Sequence, residues 1–153
     1  MMKHLFQATT TINAPLATVF PFFADALNLE KITPPELKFE IVTPQPITIS
    51  KGTLIEYRLQ LFGVPFRWMS RISEWEPPFR FVDEQIRGPY ATWIHEHRFE
   101  EAGDRTIMKD RVSYSLPFSP LGDVAFPVVQ LQIRRIFAFR EKVIAEAMQG
   151  IGR

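Results

Sequence analysis

Trp93-Ile94-His95-Glu96-His97-Arg98-Phe99 is the stretch from which the rest of the chain can be placed. Side chains of a strand alternate between two faces. Trp93, His95, His97 and Phe99 therefore share one face, and Ile94, Glu96 and Arg98 share the other. The aromatic residues at both ends of the first set mark it as inward. Two of the chain's three histidines then point at the interior. Paired imidazoles among aromatic rings suit the wall of a pocket.

The following run, Thr106 to Leu116, alternates in the same way. Met108, Asp110, Val112, Tyr114 and Leu116 form its apolar face, so Asp110 is carried inward with them. Gly103-Asp104 suits the tight turn between the two strands. That turn pairs His97 with Asp110, and a turn at Ala102-Gly103 pairs His95 with Asp110. Either register brings the carboxylate within reach of an imidazole. On the other side lies Phe79 to Ile86. With Phe79 and Phe81 inward, Asp83 and Gln85 follow. Buried carboxylates are costly unless hydrogen-bonded or paired. An interior holding Asp83, Gln85, His95, His97 and Asp110 must be a connected network, wet, or occupied by a ligand.

Further out, Leu5 to Ile12 reads as a first strand, rich in Thr. Asn13 is placed to cap a helix whose first turn holds Pro15. Pro15 to Leu29 has helical spacing, and Pro21 and Asp25 divide or kink it into two short helices. Thr33-Pro34-Pro35 stops it. Phe39 to Thr43 is a short strand ended by Pro44-Gln45-Pro46, hence an edge or a loop. Thr53 to Phe62 and Phe66 to Glu74 alternate on either side of a turn at Gly63-Val64-Pro65. Ile55, Tyr57, Leu59 and Leu61 share a face on the first; Phe66, Trp68, Ser70 and Ile72 share one on the second. Short turns between most strands predict an antiparallel meander. Gly122 to Met148 is helical apart from Pro127, which kinks it or marks a second start. Val129, Ile133, Ile136, Phe137, Ile144 and Met148 give an apolar stripe. Arg134-Arg135 and Arg140-Glu141-Lys142 read as its solvated face. A long amphipathic helix after a curved sheet belongs across the sheet's concave face.

A chain of 153 residues is expected to be one domain over residues 1–153. Its 13% aromatic content fills a core or lines a cavity for an apolar ligand. A net charge of +1 offers no basic surface for nucleic acid. No window approaches the roughly 20 apolar residues of a membrane span. Zero cysteine excludes thiol catalysis and thiolate metal sites. With a polar N-terminus lacking a signal-peptide core, this predicts a cytoplasmic location. Leu61-Phe62-Gly63-Val64-Pro65-Phe66 and Leu116-Pro117-Phe118-Ser119-Pro120-Leu121 are apolar loops. Exposed, they would serve a homodimer, a cavity mouth or a peripheral membrane contact.

Phe81-Val82-Asp83-Glu84-Gln85, Gly88-Pro89-Tyr90, Trp93, His95, His97 and Phe99 carry a resemblance. Asp110, Tyr114, Pro117 and Gly122 extend it, as do Ile12-Asn13-Ala14-Pro15 and Val19-Phe20. The chain resembles a ligand-binding subfamily of the SRPBCC superfamily, which includes START, polyketide cyclase and Bet v 1-like proteins. The resemblance implies an α+β helix-grip fold. That fold has a curved seven-stranded antiparallel sheet, two short helices after strand one, and a long C-terminal helix enclosing a cavity. Members bind lipids, quinones, sterols or polyketides, and some are cyclases or hydrolases.

Four readings of the polar cluster follow. The leading one is a cavity for a small hydrophobic ligand. Tyr57, Trp68, Trp93, Tyr114 and Phe137 would supply apolar contact, and Asp83, Gln85, His95, His97 and Asp110 would fix a polar head group. The alternative is a cyclase-, dehydratase- or isomerase-type enzyme, with His95 or His97 and Asp110 as general acid and base. A metal held by two histidines and a carboxylate is a third, but no further convincing ligand is visible, and no metal or cofactor is expected. The fourth is a plain core in which these groups satisfy one another.

Overall fold

The computed structural model describes residues 2–151. Seven strands form one antiparallel sheet: β1 (Lys3–Ile12), β2 (Glu40–Ile41), β3 (Leu54–Leu61), β4 (Val64–Glu76), β5 (Arg80–Arg87), β6 (Thr92–Ala102) and β7 (Arg105–Ser115). Their order is β1-β7-β6-β5-β4-β3-β2, so β2 through β7 form a meander and β1 returns to pair with β7. Two short helices, α1 (Leu16–Phe23) and α2 (Asn28–Lys31), follow β1. A 3₁₀ turn at Leu121–Ala125 leads into the long helix α3 (Phe126–Ile151). This is the helix-grip arrangement.

Strand parity sets which residues face the helix. Ile55, Leu59 and Leu61 on β3, Trp68, Ser70 and Ile72 on β4, and Met108, Asp110, Val112 and Tyr114 on β7 are all buried. Two register irregularities between β4 and β5, at Met69/Ser70 and Ile72/Glu74, add twist and curvature where the sheet bends. The inner row of α3, Ile133, Phe137, Arg140, Ile144 and Met148, lies against this concave face. Ile144 and Met148 complete one apolar cluster with α1; Ile133 and Phe137 complete another with β3, β4 and β7.

The turns explain several departures from the sequence reading. Phe62 and Gly63 both adopt positive φ, 53° and 76°, which suits a two-residue hairpin. Val64 and Pro65 therefore begin β4, with Pro65 opposite Gln60, instead of completing the turn. Asn13 makes no cap; Pro15 occupies the cap position of α1 without a side-chain bond. The helix carries through Pro21 and ends at Phe23, while Asp25 accepts the Leu27 amide in the break before α2. Pro127 falls at the second residue of α3, where its missing N–H is harmless, so it marks a start and not a kink. Phe79 is exposed because it precedes β5 and lies in the turn. Both apolar loops expose side chains: Phe62 and Val64 on the first, Phe118 and Leu121 on the second. Among the described residues, no helix is long and apolar enough to cross a membrane.

Ile144 is fully buried where α3 meets α1 and the sheet. Replacing Ile144 by Ala should cost about 2–5 kcal/mol in urea unfolding. Leu131→Ala, on the exposed face of the same helix, should stay within about 0.5 kcal/mol. Equal losses would mean that α3 is not packed through this row.

Candidate functional site

The turn at Gly103-Asp104 sets the register in which His97 lies opposite Asp110. On the other side of β6, Asp83 lies opposite His95. The hydrogen bonds do not follow these pairings. His97 Nε2 bonds Asp83 Oδ2 at 2.5 Å, and His95 Nε2 bonds Asp110 Oδ1 at 2.7 Å. Each imidazole reaches diagonally to the carboxylate opposite its neighbour, a separation long side chains span on a pleated surface. The two rings stack 3.6 Å apart, and Phe81 stacks on His97 at 4.0 Å.

Electrostatics follow from this geometry. Burial pushes His97 down to about 4; the His95 ring acts the same way, and Asp83 opposes them. His97 is therefore neutral at neutral pH and donates its Nε2–H to an ionised Asp83. Burial disfavours ionisation of Asp83, but the hydrogen bond from His97 and the nearby His95 and Arg140 outweigh it. Burial also opposes ionisation of Asp110. Arg140 first, then the bond from His95, holds its carboxyl well below the usual range. Nδ1 of His97 is buried and makes no hydrogen bond among the described residues; it stands 3.6 Å from Asp110 Oδ1.

Part of this cluster lines a cavity of about 170 Å³ between the sheet, α1, α2 and α3. Asp83, His95 and His97 line it, as do Tyr57, Trp68, Trp93 and Phe137. The remainder is chiefly apolar, including Phe22, Phe23, Leu29, Ile32 and Leu37 from the segment between β1 and β2. Burial, with the charge of Asp83, raises the Tyr57 hydroxyl, which stays protonated and shares a 3.2 Å hydrogen bond with Ser70. Trp68 Nε1 also donates to Ser70.

Three of the residues expected to contact a ligand do not line this cavity. Gln85 folds over Gly88 and clamps the turn: its Nε2 donates to the Tyr90 carbonyl and its Oε1 accepts the Tyr90 amide. A Cβ on Gly88 would stand 2.4 Å from that Oε1, which explains the glycine. Tyr114 is 2% exposed and packs against His4, Tyr90 and Trp93 without reaching the cavity. Asp110 borders a second cavity of about 190 Å³ between β1, β7 and α3. Phe137 and Arg140 line both cavities and separate them.

Arg140 corrects the sequence reading. Expected on the solvated face, it is 8% exposed. The signal was present: Ile133, Phe137, Arg140, Ile144 and Met148 are spaced by four, three, four and four residues, which is one helix face. Ser70, on the strand face shared with Trp68 and Ile72, is a functional candidate that the sequence reading gives no role.

Asp83, His95 and His97 also have the donor set of a two-histidine, one-carboxylate metal site, with donor atoms within 4.8 Å of one another. His97 Nε2 is bonded to Asp83 Oδ2, and His95 Nδ1 stands 4.0 Å from the same oxygen.

Residues 12–139 match the family described as polyketide cyclase/dehydrase and lipid transport. Among curated proteins, none is significantly similar in sequence. Among solved structures, the Zhui aromatase/cyclase of a Streptomyces species superposes with a TM-score of 0.80 at 18% identity, over 99% of this chain and 97% of that one. A START superfamily protein from Mycobacterium smegmatis gives 0.72 at 13% identity, over 97% and 99%. Norcoclaurine synthase of Thalictrum flavum gives 0.72 at 12% identity, over 99% and 98%. At these identities the likeness is one of fold.

The buried network has an acid limit. An unfolded histidine takes up a proton near pH 6.5, whereas folded His97 does so only near 4. Stability should therefore fall as pH drops from about 6.5 towards 4, by on the order of 3 kcal/mol. Loss of the two depressed carboxylates follows at lower pH. Thermal melts across this range test it, and His97→Phe should flatten the upper part. A melting temperature constant from pH 6.5 to 4.5 in the wild type would contradict it.

Proposed function

We propose, from the premise that the chain belongs to the polyketide cyclase/dehydrase and lipid transport family, that its cavity binds a small hydrophobic molecule. The observation that carries this reading is a cavity under α3 lined mostly by aromatic and aliphatic side chains, with Asp83, His95 and His97 grouped together on its sheet side. On this reading the body of the ligand lies among Trp68, Trp93, Phe137 and the α1–α2 side chains. Its polar end lies towards Asp83, His95 and His97.

Size narrows the guest. A cavity of about 150 Å³ holds a benzene-sized molecule, so about 170 Å³ suits one ring or a short chain. Sterol-like, quinone-tailed or multi-ring polyketide guests need roughly 300 Å³ or more. They require α3 to lift from the sheet or Phe137 to swing aside and join the two cavities.

Catalysis of the cyclase, dehydratase or isomerase type is the second reading, supported by the imidazole–carboxylate pairs. Weighing against it, a general base works best with a pKa near the operating pH, and His97 lies at about 4. Binding without conversion is the better supported of the two.

The direct test is mass spectrometry of organic extracts from protein purified under native conditions, followed by incubation with the recovered compound. A hydrophobic molecule recovered unaltered is the expected result; conversion would favour the enzyme. Ile136→Trp, which fills the cavity from α3, should weaken binding of that compound at least tenfold with a small change in melting temperature. Unchanged affinity in this variant would place the ligand elsewhere.

A further inference from the structure

Arg140 projects from α3 into the wall shared by the two cavities. Its guanidinium lies 5.4 Å from the centre of the Phe23 ring and 5.6 Å from that of Phe137. Nε and Nη2 are both buried and have no hydrogen-bond partner among the described residues. These are the two nitrogens whose N–H bonds run parallel along one edge of the guanidinium. That edge is the fork that accepts both oxygens of a single carboxylate.

The protein's own carboxylates do not fill this fork. Asp83 is bonded to His97 and Asp110 to His95, and neither makes an ion pair with Arg140. The contrast with other arginines is sharp: Arg135 pairs with Glu36, and Arg80 with both Glu76 and Glu96. An arginine cannot shed its proton to escape burial. The charge of Arg140 acts on Asp83 and Asp110, but its two parallel donors stay unpaired on the wall shared by the two cavities, where they can take an acceptor that arrives from outside.

We infer that Arg140 is the head-group residue of the cavity and that the ligand is a small carboxylic acid with one aromatic ring or a short alkyl chain. The acid's two oxygens take Nε and Nη2, and its apolar body lies among the aromatic side chains. The inference rests on the cavity-binding reading and adds the chemical class of the guest. It also gives α3 two parts in recognition: Phe137 packs against the body, and Arg140 one turn later holds the head.

Calorimetric titration with matched pairs tests it: benzoate against benzyl alcohol, and hexanoate against hexanol. In the wild-type protein each acid should bind at least tenfold more tightly than its alcohol. Arg140→Met should bring that ratio to about one or below while the alcohols still bind. Arg140→Lys, which keeps a charge but loses the fork, should restore only part of the preference. Equal affinities for acid and alcohol in the wild type, or an unchanged ratio in Arg140→Met, would overturn the assignment and leave the cavity reading intact. Binding of neither class to the wild type would overturn both. Should Arg140→Met not fold, the wild-type ratio and the lysine variant still decide the matter.

Discussion

Two ionised carboxylates lie against the concave face of an apolar sheet, and the structure depends on their being answered there. Asp83 and Asp110 come from the strands flanking β6, and both answers come from β6 itself. The alternation of one strand sends His95 and His97 to the same face, and their stacking lets each ring lean towards the carboxylate across the diagonal. Removing one partner would leave a buried charge uncompensated, which typically costs about 3–5 kcal/mol. β5, β6 and β7 are thus tied by side chains as well as by their ladders.

The register of β6 and β7 was legible because it rests on parity alone. The apolar residues of Thr106–Leu116 fix which face is inward, and Gly103-Asp104 fixes the turn. Both constraints are local. The diagonal crossing was not legible, since it depends on how two rings pack against each other and against Phe81. Gln85 shows another limit. Its parity placed it inward, but a side chain near a strand's end can serve the turn instead, and it clamps Tyr90. Arg140 was misplaced because charge was allowed to outweigh position. Its spacing put it on the inner row between Phe137 and Ile144, and a charged residue on an inner row is a statement about the cavity.

The site is shared between two rigid elements of different kinds. The sheet supplies the hydrogen-bonded imidazole–carboxylate network, whose nitrogens and oxygens are mostly committed. The helix supplies the uncommitted donors. Phe137 and Arg140 stand between two cavities of similar volume, so the same side chains that contact a ligand also partition the space it can occupy. Guest size and head-group chemistry are consequently coupled through α3.

The pairing of β1 with β7 bears on how the chain assembles. Phe6 lies opposite Val112 and Thr10 opposite Met108, partners separated by about a hundred residues of chain. Closing a loop of that length carries a large entropic cost before any contact repays it, and such non-local pairing slows folding. During synthesis β1 is made before β7, and its partner strand appears only after about a hundred further residues have been translated. Ile12 and Thr10, both buried in the finished protein, wait without their sheet until then. A long-lived nascent state with an unpaired, threonine-rich N-terminal strand follows from the strand order alone, and it is the state in which the chain is most open to intermolecular pairing.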